Sequence, residues 1–208
     1  WMQTTAQGYL AYQLTKSSAF LGYVAFASGI PVWIFMLYAG SVADRMPRKR
    51  LMLYTQSSML ILAFILALLT FSGVVRPWHI LVLAFLLGVA NAFDSPARLA
   101  LVNQLVDDRK YLGNAVALNG SMFNLATTLG PAVAGGVYAL LGPGWCFTIN
   151  GISFLAVIIA LLLMHLRPVP QCPPGRSQIE GINEGLSYVW HHHDIRALML
   201  LIGVTSLL

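Results

Sequence analysis

Gly40-Ser-Val-Ala-Asp44-Arg45-Met-Pro47-Arg48-Lys49-Arg50 lies between two long uncharged runs, Ser17 to Ala43 and Leu51 to Val75. A helix needs about 20 mostly apolar residues to cross a hydrocarbon core of roughly 30 Å, and each flanking run is long enough. A short turn carrying Arg45, Arg48, Lys49 and Arg50 between such runs is what two antiparallel membrane helices leave outside the bilayer. The reading that follows is a polytopic all-α membrane protein.

The rest of the chain agrees. Hydrophobic residues make up 58% of the 208 and charged residues 9%, which is far too apolar for a water-solvated domain. Tyr111 to Leu166 carries no Asp, Glu, Lys or Arg and is long enough for two crossings, divided by Gly142-Pro143-Gly144. Pro77 to Phe93 is interrupted only by His79 and reads as another crossing. Trp1 to Thr15 is uncharged but too short to span, and it lacks an initiator Met and a basic leader, so it is expected to be a truncated first span. Ala197 to Leu208 turns apolar after a charged segment and is expected to start a seventh span, which makes the sequence a fragment at both ends.

The spans are thus placed at 1–15, 20–43, 51–73, 79–94, 112–140 and 145–166, forming one N-terminal bundle over 1–167. Residues 168–196 read as a cytoplasmic linker with an amphipathic helix, and 197–208 as the seventh-span start. Ser95 to Val106 is semi-apolar, with Leu99, Leu101, Val102 and Leu105 near helical spacing; it is expected along the membrane interface, or else as an extension of span 4.

Charge placement sets the orientation. The loops after spans 2, 4 and 6 hold Arg45, Arg48, Lys49, Arg50, Arg98, Arg109, Lys110, Arg167, Arg176 and Arg196, whereas the other side holds Lys16 and Arg76. This asymmetry is the positive-inside pattern, so those loops, the missing N-terminus and the linker are expected in the cytoplasm of a cell inner membrane protein. The net charge of +5 then needs no nucleic-acid partner. Cys146 and Cys172 fall on opposite sides and are expected as free thiols.

The quoted turn resembles the major facilitator signature between spans 2 and 3, Gly-x-x-x-Asp-Arg-x-Gly-Arg-(Arg/Lys). Gly40 would let another helix approach, and Asp44 would pair with Arg48 or face a helix N-terminus of a partner bundle, giving a latch made and broken as two halves rock. Lipid anchoring of the basic residues is the plainer alternative. Pro47 stands at the usual Gly position, so the turn there cannot use positive φ. Asn91-Ala-Phe-Asp94-Ser-Pro96-Ala-Arg98, with Leu112-Gly-Asn114-Ala-Val-Ala-Leu118-Asn119 and Asn124-Leu-Ala-Thr-Thr-Leu-Gly130-Pro131, looks like the drug:proton antiporter-3, enterobactin-exporter-like branch. The resemblance covers nearly the whole chain.

It implies a fold, the major facilitator N-terminal six-helix bundle, with its first span truncated and a seventh begun. It also implies that Asp94 holds the signature loop through Arg45 or Arg48; pairing of Asp94 with Arg98 one turn on is equally open. Gly130-Pro131-Ala-Val-Ala-Gly135-Gly136 resembles the span 5 Gly-Pro signature, where small residues permit close helix packing, although one extra residue separates Pro from Gly-Gly.

Polar residues inside a membrane nominate a transport path. Gln3 and Gln7 share a face of span 1, Asn91 lies low in span 4, and Ser121, Asn124 and Thr128 share a face of span 5. With resemblance implying that spans 1, 2, 4 and 5 line a cavity, these six are the cavity candidates; interhelical hydrogen bonding is the other reading of each. No acidic residue lies deep in a span, so proton coupling gains no support from the sequence.

His191-His192-His193 points different ways on a helix and has no nearby Cys or carboxylate cluster to complete a tetrahedral set, so no metal site is expected. No nucleotide or metalloprotease motif appears, and neither a cofactor nor enzyme chemistry is expected. The function implied is secondary active transport by alternating access, exporting small amphiphilic molecules with a C-terminal six-helix half of the same protein. Its rivals are a nutrient uptake permease and a non-transporting membrane scaffold.

Overall fold

The computed structural model describes residues 1–105 and 109–164. The expected linker at 168–196, the seventh-span start at 197–208, Cys172 and the histidine run lie outside the described residues. Within those described, the chain forms α1 (Met2–Thr15), α2 (Ser18–Arg45), α3 (Arg48–Phe71), α4 (Pro77–Leu105), a single 3-10 turn at Arg109–Tyr111, α5 (Leu112–Leu141) and α6 (Pro143–Leu163). Helices α2, α3, α5 and α6, and α4 from Pro77 to Val102, are long and apolar enough to cross a membrane. The 14 residues of α1 rise roughly 21 Å at 1.5 Å per residue, short of a full crossing.

The turns follow from local chemistry. Lys16 ends α1 in the left-handed conformation at φ 54°, its backbone N–H donating to the Tyr12 carbonyl. Between α2 and α3, Met46 is extended at φ −93° and ψ 150°, and Pro47 follows at φ −56°. The proline ring fixes its own φ and disfavours helix in the residue before it. The turn therefore closes without positive φ, as Pro47 requires. Between α5 and α6 the chain turns at Gly142, φ 87°, and Pro143 opens α6, where its missing N–H has no helical acceptor to satisfy.

α4 is the centre of the packing: it runs along α2 and α3, and α3 in turn runs along α6. The closest crossing is at Gly88, where a Cβ would collide with the Ser28 carbonyl and crowd the buried Pro31 ring of α2. Absence of a side chain is what lets these two backbones meet. Gly144 and Gly151 make comparable room on α6 for the rings of Phe71 and Phe64 of α3. The main core collects Ala6, Leu10, Met59, Leu66, Ile80, Leu83, Cys146 and Phe147 from α1, α3, α4 and α6.

A second apolar cluster lies at the basic end, where Ala43, Leu51, Met52, Ala97, Leu101 and Leu161 come together. It explains a departure from the interfacial segment expected at Ser95 to Val106. Instead of lying along the interface, the chain continues α4 through Pro96 to Leu105. Pro96 removes one N–H from the helical ladder, but Ala97 and Leu101, one turn apart, are 0% and 5% exposed against α2, α3 and α6. Packing outweighs the proline, and the extension reading holds.

Two helices are poorly covered. Among the described residues of α5 only Ala134 is buried, and Leu140 is 85% exposed. On α2, Trp33 is 81% exposed, and Tyr23, Phe26 and Met36 are also uncovered. Apolar surface of this extent calls for lipid or another protein rather than water.

Candidate functional site

The α2–α3 turn, the end of α4 and the end of α6 converge on one end of the bundle, which gathers Arg45, Arg48, Lys49, Arg50 and Arg98. Arg48 donates from a guanidinium nitrogen to the Ala100 carbonyl of α4 at 2.9 Å. Lys49 Nζ donates to the Leu162 and Met164 carbonyls at 3.1 and 2.7 Å. The last carbonyls of a helix lack intrahelical partners and carry the negative end of its dipole, so an ammonium there is favoured twice over. Two adjacent basic residues of one turn thus tie α3 to the ends of two other helices.

Asp94 lies inside this end and is 7% exposed. Its Oδ1 accepts from the Thr55 hydroxyl at 2.8 Å and from Gln56 Nε2 at 2.9 Å, both on α3. Neither expected ionic partner is the one it takes: among the described residues it pairs with neither Arg45 nor Arg48, and not with Arg98. α3 packs against the face of α4 that carries Asp94 and presents two neutral donors there. Thr55 Oγ1 also lies 3.0 Å from the Met52 carbonyl. Its single hydrogen serves one acceptor at a time, and the carboxylate is the stronger one. Gln56 Oε1 is buried without a partner.

Arg98 instead turns toward α5, its guanidinium carbon 5.8 Å from the Phe123 ring centroid. Asp44 is exposed on the rim. Nothing lies within 4 Å of a Cβ built at Gly40, Gly135 or Gly136, so the close approaches expected there are not made among the described residues. At Gly130, immediately before Pro131 interrupts the hydrogen-bond ladder of α5, such a Cβ would come 2.8 Å from Trp1 Cβ. Gly130 is thus the signature glycine that meets a neighbour, while Gly88, Gly144 and Gly151, which admit one as closely, lie outside the quoted signatures.

The six cavity candidates divide by burial. Gln3 and Gln7 are 4% and 3% exposed. Gln3 Oε1 accepts from Asn150 Nδ2 of α6 at 2.7 Å, and Gln7 Nε2 donates to the Ile80 carbonyl of α4 at 3.0 Å. Both therefore join helices. Asn91, Ser121, Asn124 and Thr128 are exposed. Asn91 Nδ2 donates to Leu87 O at 3.0 Å, Ser121 Oγ to Ala117 O at 2.9 Å and Thr128 Oγ1 to Asn124 O at 3.0 Å. Bonds to the preceding turn leave acceptor capacity directed outward.

Sequence reasoning missed Thr55, Gln56 and Asn150. The signal for the first two was a polar run, Thr55-Gln56-Ser57-Ser58, inside an apolar span, which a membrane helix carries only where partners exist. At the opposite end of the bundle, Tyr138 donates to Gln13 Oε1 at 2.7 Å and Trp145 meets Phe71 edge-on at 5.8 Å. That end holds Lys16 and Arg76 alone as its Lys and Arg among the described residues.

Comparison with known proteins bears on the whole of this architecture. Residues 1–205 match the family model described as transmembrane secretion effector. The staphyloferrin A transporter of Staphylococcus aureus is 25% identical over all of this chain and 51% of its own length. The multidrug efflux pump Tap of Mycolicibacterium fortuitum is 28% identical over 92% of this chain and 49% of its own. The macrolide efflux protein A of Streptococcus pyogenes is 22% identical over 89% of this chain and 46% of its own. The chain spans about half the length of the curated relatives it matches. With its membrane-crossing helices, its crossed helix pairs and a match along nearly its full length, the chain is a multi-pass membrane protein and belongs to the transmembrane secretion effector family of the major facilitator superfamily.

Proposed function

We propose that this chain is the N-terminal half of a secondary active exporter that works by alternating access, moving small amphiphilic molecules out of the cytoplasm across the inner membrane. The observation that carries the reading is the family match over residues 1–205, together with relatives named as efflux pumps and a siderophore transporter. A second six-helix half of the same protein would cover the open faces of α2 and α5 and complete a central cavity. Asn91, Ser121, Asn124 and Thr128 would offer polar contacts there, since their side chains are exposed.

The basic end would face the cytoplasm by the positive-inside rule. There Arg48 and Lys49 would hold the α2–α3 turn rigid against α4 and α6, while exposed Asp44 and unapproached Gly40 would meet the second half as a latch. A rigid turn matters because a contact made and broken between two bundles does work only if neither side yields.

Expression of the complete gene in a strain lacking its own efflux pumps tests the function. Cells are expected to retain less of at least one dye or antibiotic than cells carrying an empty vector. Unchanged retention across a broad panel of cationic, anionic and neutral compounds would remove the export reading, and raised accumulation would indicate uptake.

A further inference from the structure

At the basic end, Arg98 is a cation that neither the clamp of Arg48 and Lys49 nor the latch of Asp44 and Gly40 uses. Arg98 is partly buried on α4, and its Nε is buried without a hydrogen-bond partner. Its carboxylate neighbour, Asp94, is taken by Thr55 and Gln56. Arg98 precedes the end of α4 by seven residues, which places it roughly 10 Å inward along the helix axis. A guanidinium drawn in from the aqueous edge and left, among the described residues, without an anion is costly, and the ring of Phe123 returns only part of that cost.

What surrounds Arg98 describes the missing partner. Phe123 is 45% exposed although its ring lies 5.8 Å from the guanidinium. Trp1, 49% exposed, stacks edge-on to the same ring at 5.6 Å. A fixed cation therefore stands over one half-exposed aromatic ring, with a second half-exposed ring packed edge-on against it. We infer that Arg98, Phe123 and Trp1 form a binding site for an amphiphilic anion, with an oxyanion headgroup on the guanidinium and an apolar body along the two rings.

The planar guanidinium presents its donors in a fork that matches carboxylate, sulfonate or phosphate oxygens. In naming the charge class of a cargo, the inference rests on the export reading. The same chemistry is offered by an anionic lipid of the inner leaflet, so a dissolved amphiphile and a lipid headgroup are the two sources.

Binding to the full-length protein in phosphatidylcholine nanodiscs separates these cases. The probes are anilinonaphthalene sulfonate and its uncharged counterpart phenylnaphthylamine, which keeps the aromatic body and lacks the anion. Fluorescence titration, corrected for empty nanodiscs, is expected to show sulfonate affinity falling about 10-fold in Arg98→Gln, as for loss of one charge-assisted hydrogen bond. Phenylnaphthylamine affinity is expected to stay unchanged. Phe123→Ala is expected to weaken both probes.

Unaltered sulfonate binding in Arg98→Gln overturns the site, and so does an equal loss of both probes. Should that variant fail to assemble, Arg98→Lys keeps the charge but loses the fork, and it is expected to weaken the sulfonate about 3-fold; no change there overturns the site equally. Adding phosphatidylglycerol to the discs identifies the source. Displacement of the sulfonate from wild type supports the site with a lipid occupant, and its retention supports a dissolved amphiphile. Because no turnover is measured, a protein that binds through Arg98 and exports nothing keeps the site and sinks the export reading alone.

Discussion

Asp94→Ala is expected to destabilise the full-length protein by about 3 kcal/mol, whereas Asp94→Asn is expected to cost less than about 1 kcal/mol. The difference follows from which partners the carboxylate has. Thr55 and Gln56 are neutral donors 2.8 and 2.9 Å from Oδ1, so the site needs an acceptor of the right shape, and an asparagine carbonyl supplies one. Alanine supplies none. It leaves the Gln56 amide unpaired at both ends, because Gln56 Oε1 is already without a partner.

Thermal unfolding of the purified protein, followed by intrinsic fluorescence or by loss of the monodisperse peak, reads both variants. If Asp94 acted instead by ion pairing with Arg45 or Arg48, removal of its charge would do the damage. Asparagine and alanine would then be equally harmful, which is the result that would refute the hydrogen-bonded arrangement. The double variant Thr55→Val/Gln56→Leu provides a cross-check. It strands the carboxylate in an apolar pocket and is expected to be at least as destabilising as Asp94→Ala.

How much of this could be read in the sequence differs between fold and site. The helices were legible because a bilayer demands long uncharged runs, and Ser17 to Ala43 or Leu51 to Val75 have no other use. The end of α4 was not. Asp94, Pro96 and Arg98 look in composition like the edge of a span, yet Ala97 and Leu101 go on packing beneath them, a fact set by α2, α3 and α6 rather than by α4 itself.

The site was legible as a list and not as an arrangement. The turn from Gly40 to Arg50 announced itself through its charges, but the partners of Arg48 and Lys49 are backbone carbonyls of Ala100, Leu162 and Met164, and any residue provides a carbonyl. Glycine shows the same limit. Gly130, Gly135 and Gly136 drew notice because they resemble a signature, yet only Gly130 of the three meets a neighbour among the described residues, whereas Gly88 lets α2 and α4 touch while standing in an ordinary apolar run. Which glycine meets a neighbour depends on the rotation of its helix, and local spacing does not determine that.

The signature turn leads to a prediction of opposite consequences for neighbouring residues. Asp44→Asn is expected to leave the thermal stability and membrane insertion of the full-length protein unchanged, because Asp44 is exposed. Transport by that variant is expected to fall about 30-fold, in the middle of the range for a coupling between two conformations. Lys49→Met is expected to do the reverse in stability. Its ammonium caps α6 through bonds of 3.1 and 2.7 Å to Leu162 and Met164, and their loss is expected to cost about 1–2 kcal/mol, reduced from a buried value because Lys49 is only partly covered.

Counterflow of a substrate identified by the retention screen, measured beside unfolding on the same preparations, distinguishes the two effects. A latch that Asp44 makes with another bundle must register in transport while the folding of this half is untouched. Normal transport by Asp44→Asn would assign the turn to lipid anchoring. Parallel losses of stability in both variants would mean that Asp44 and Lys49 serve one structural network, and the division between a rigid clamp and a moving contact would fall.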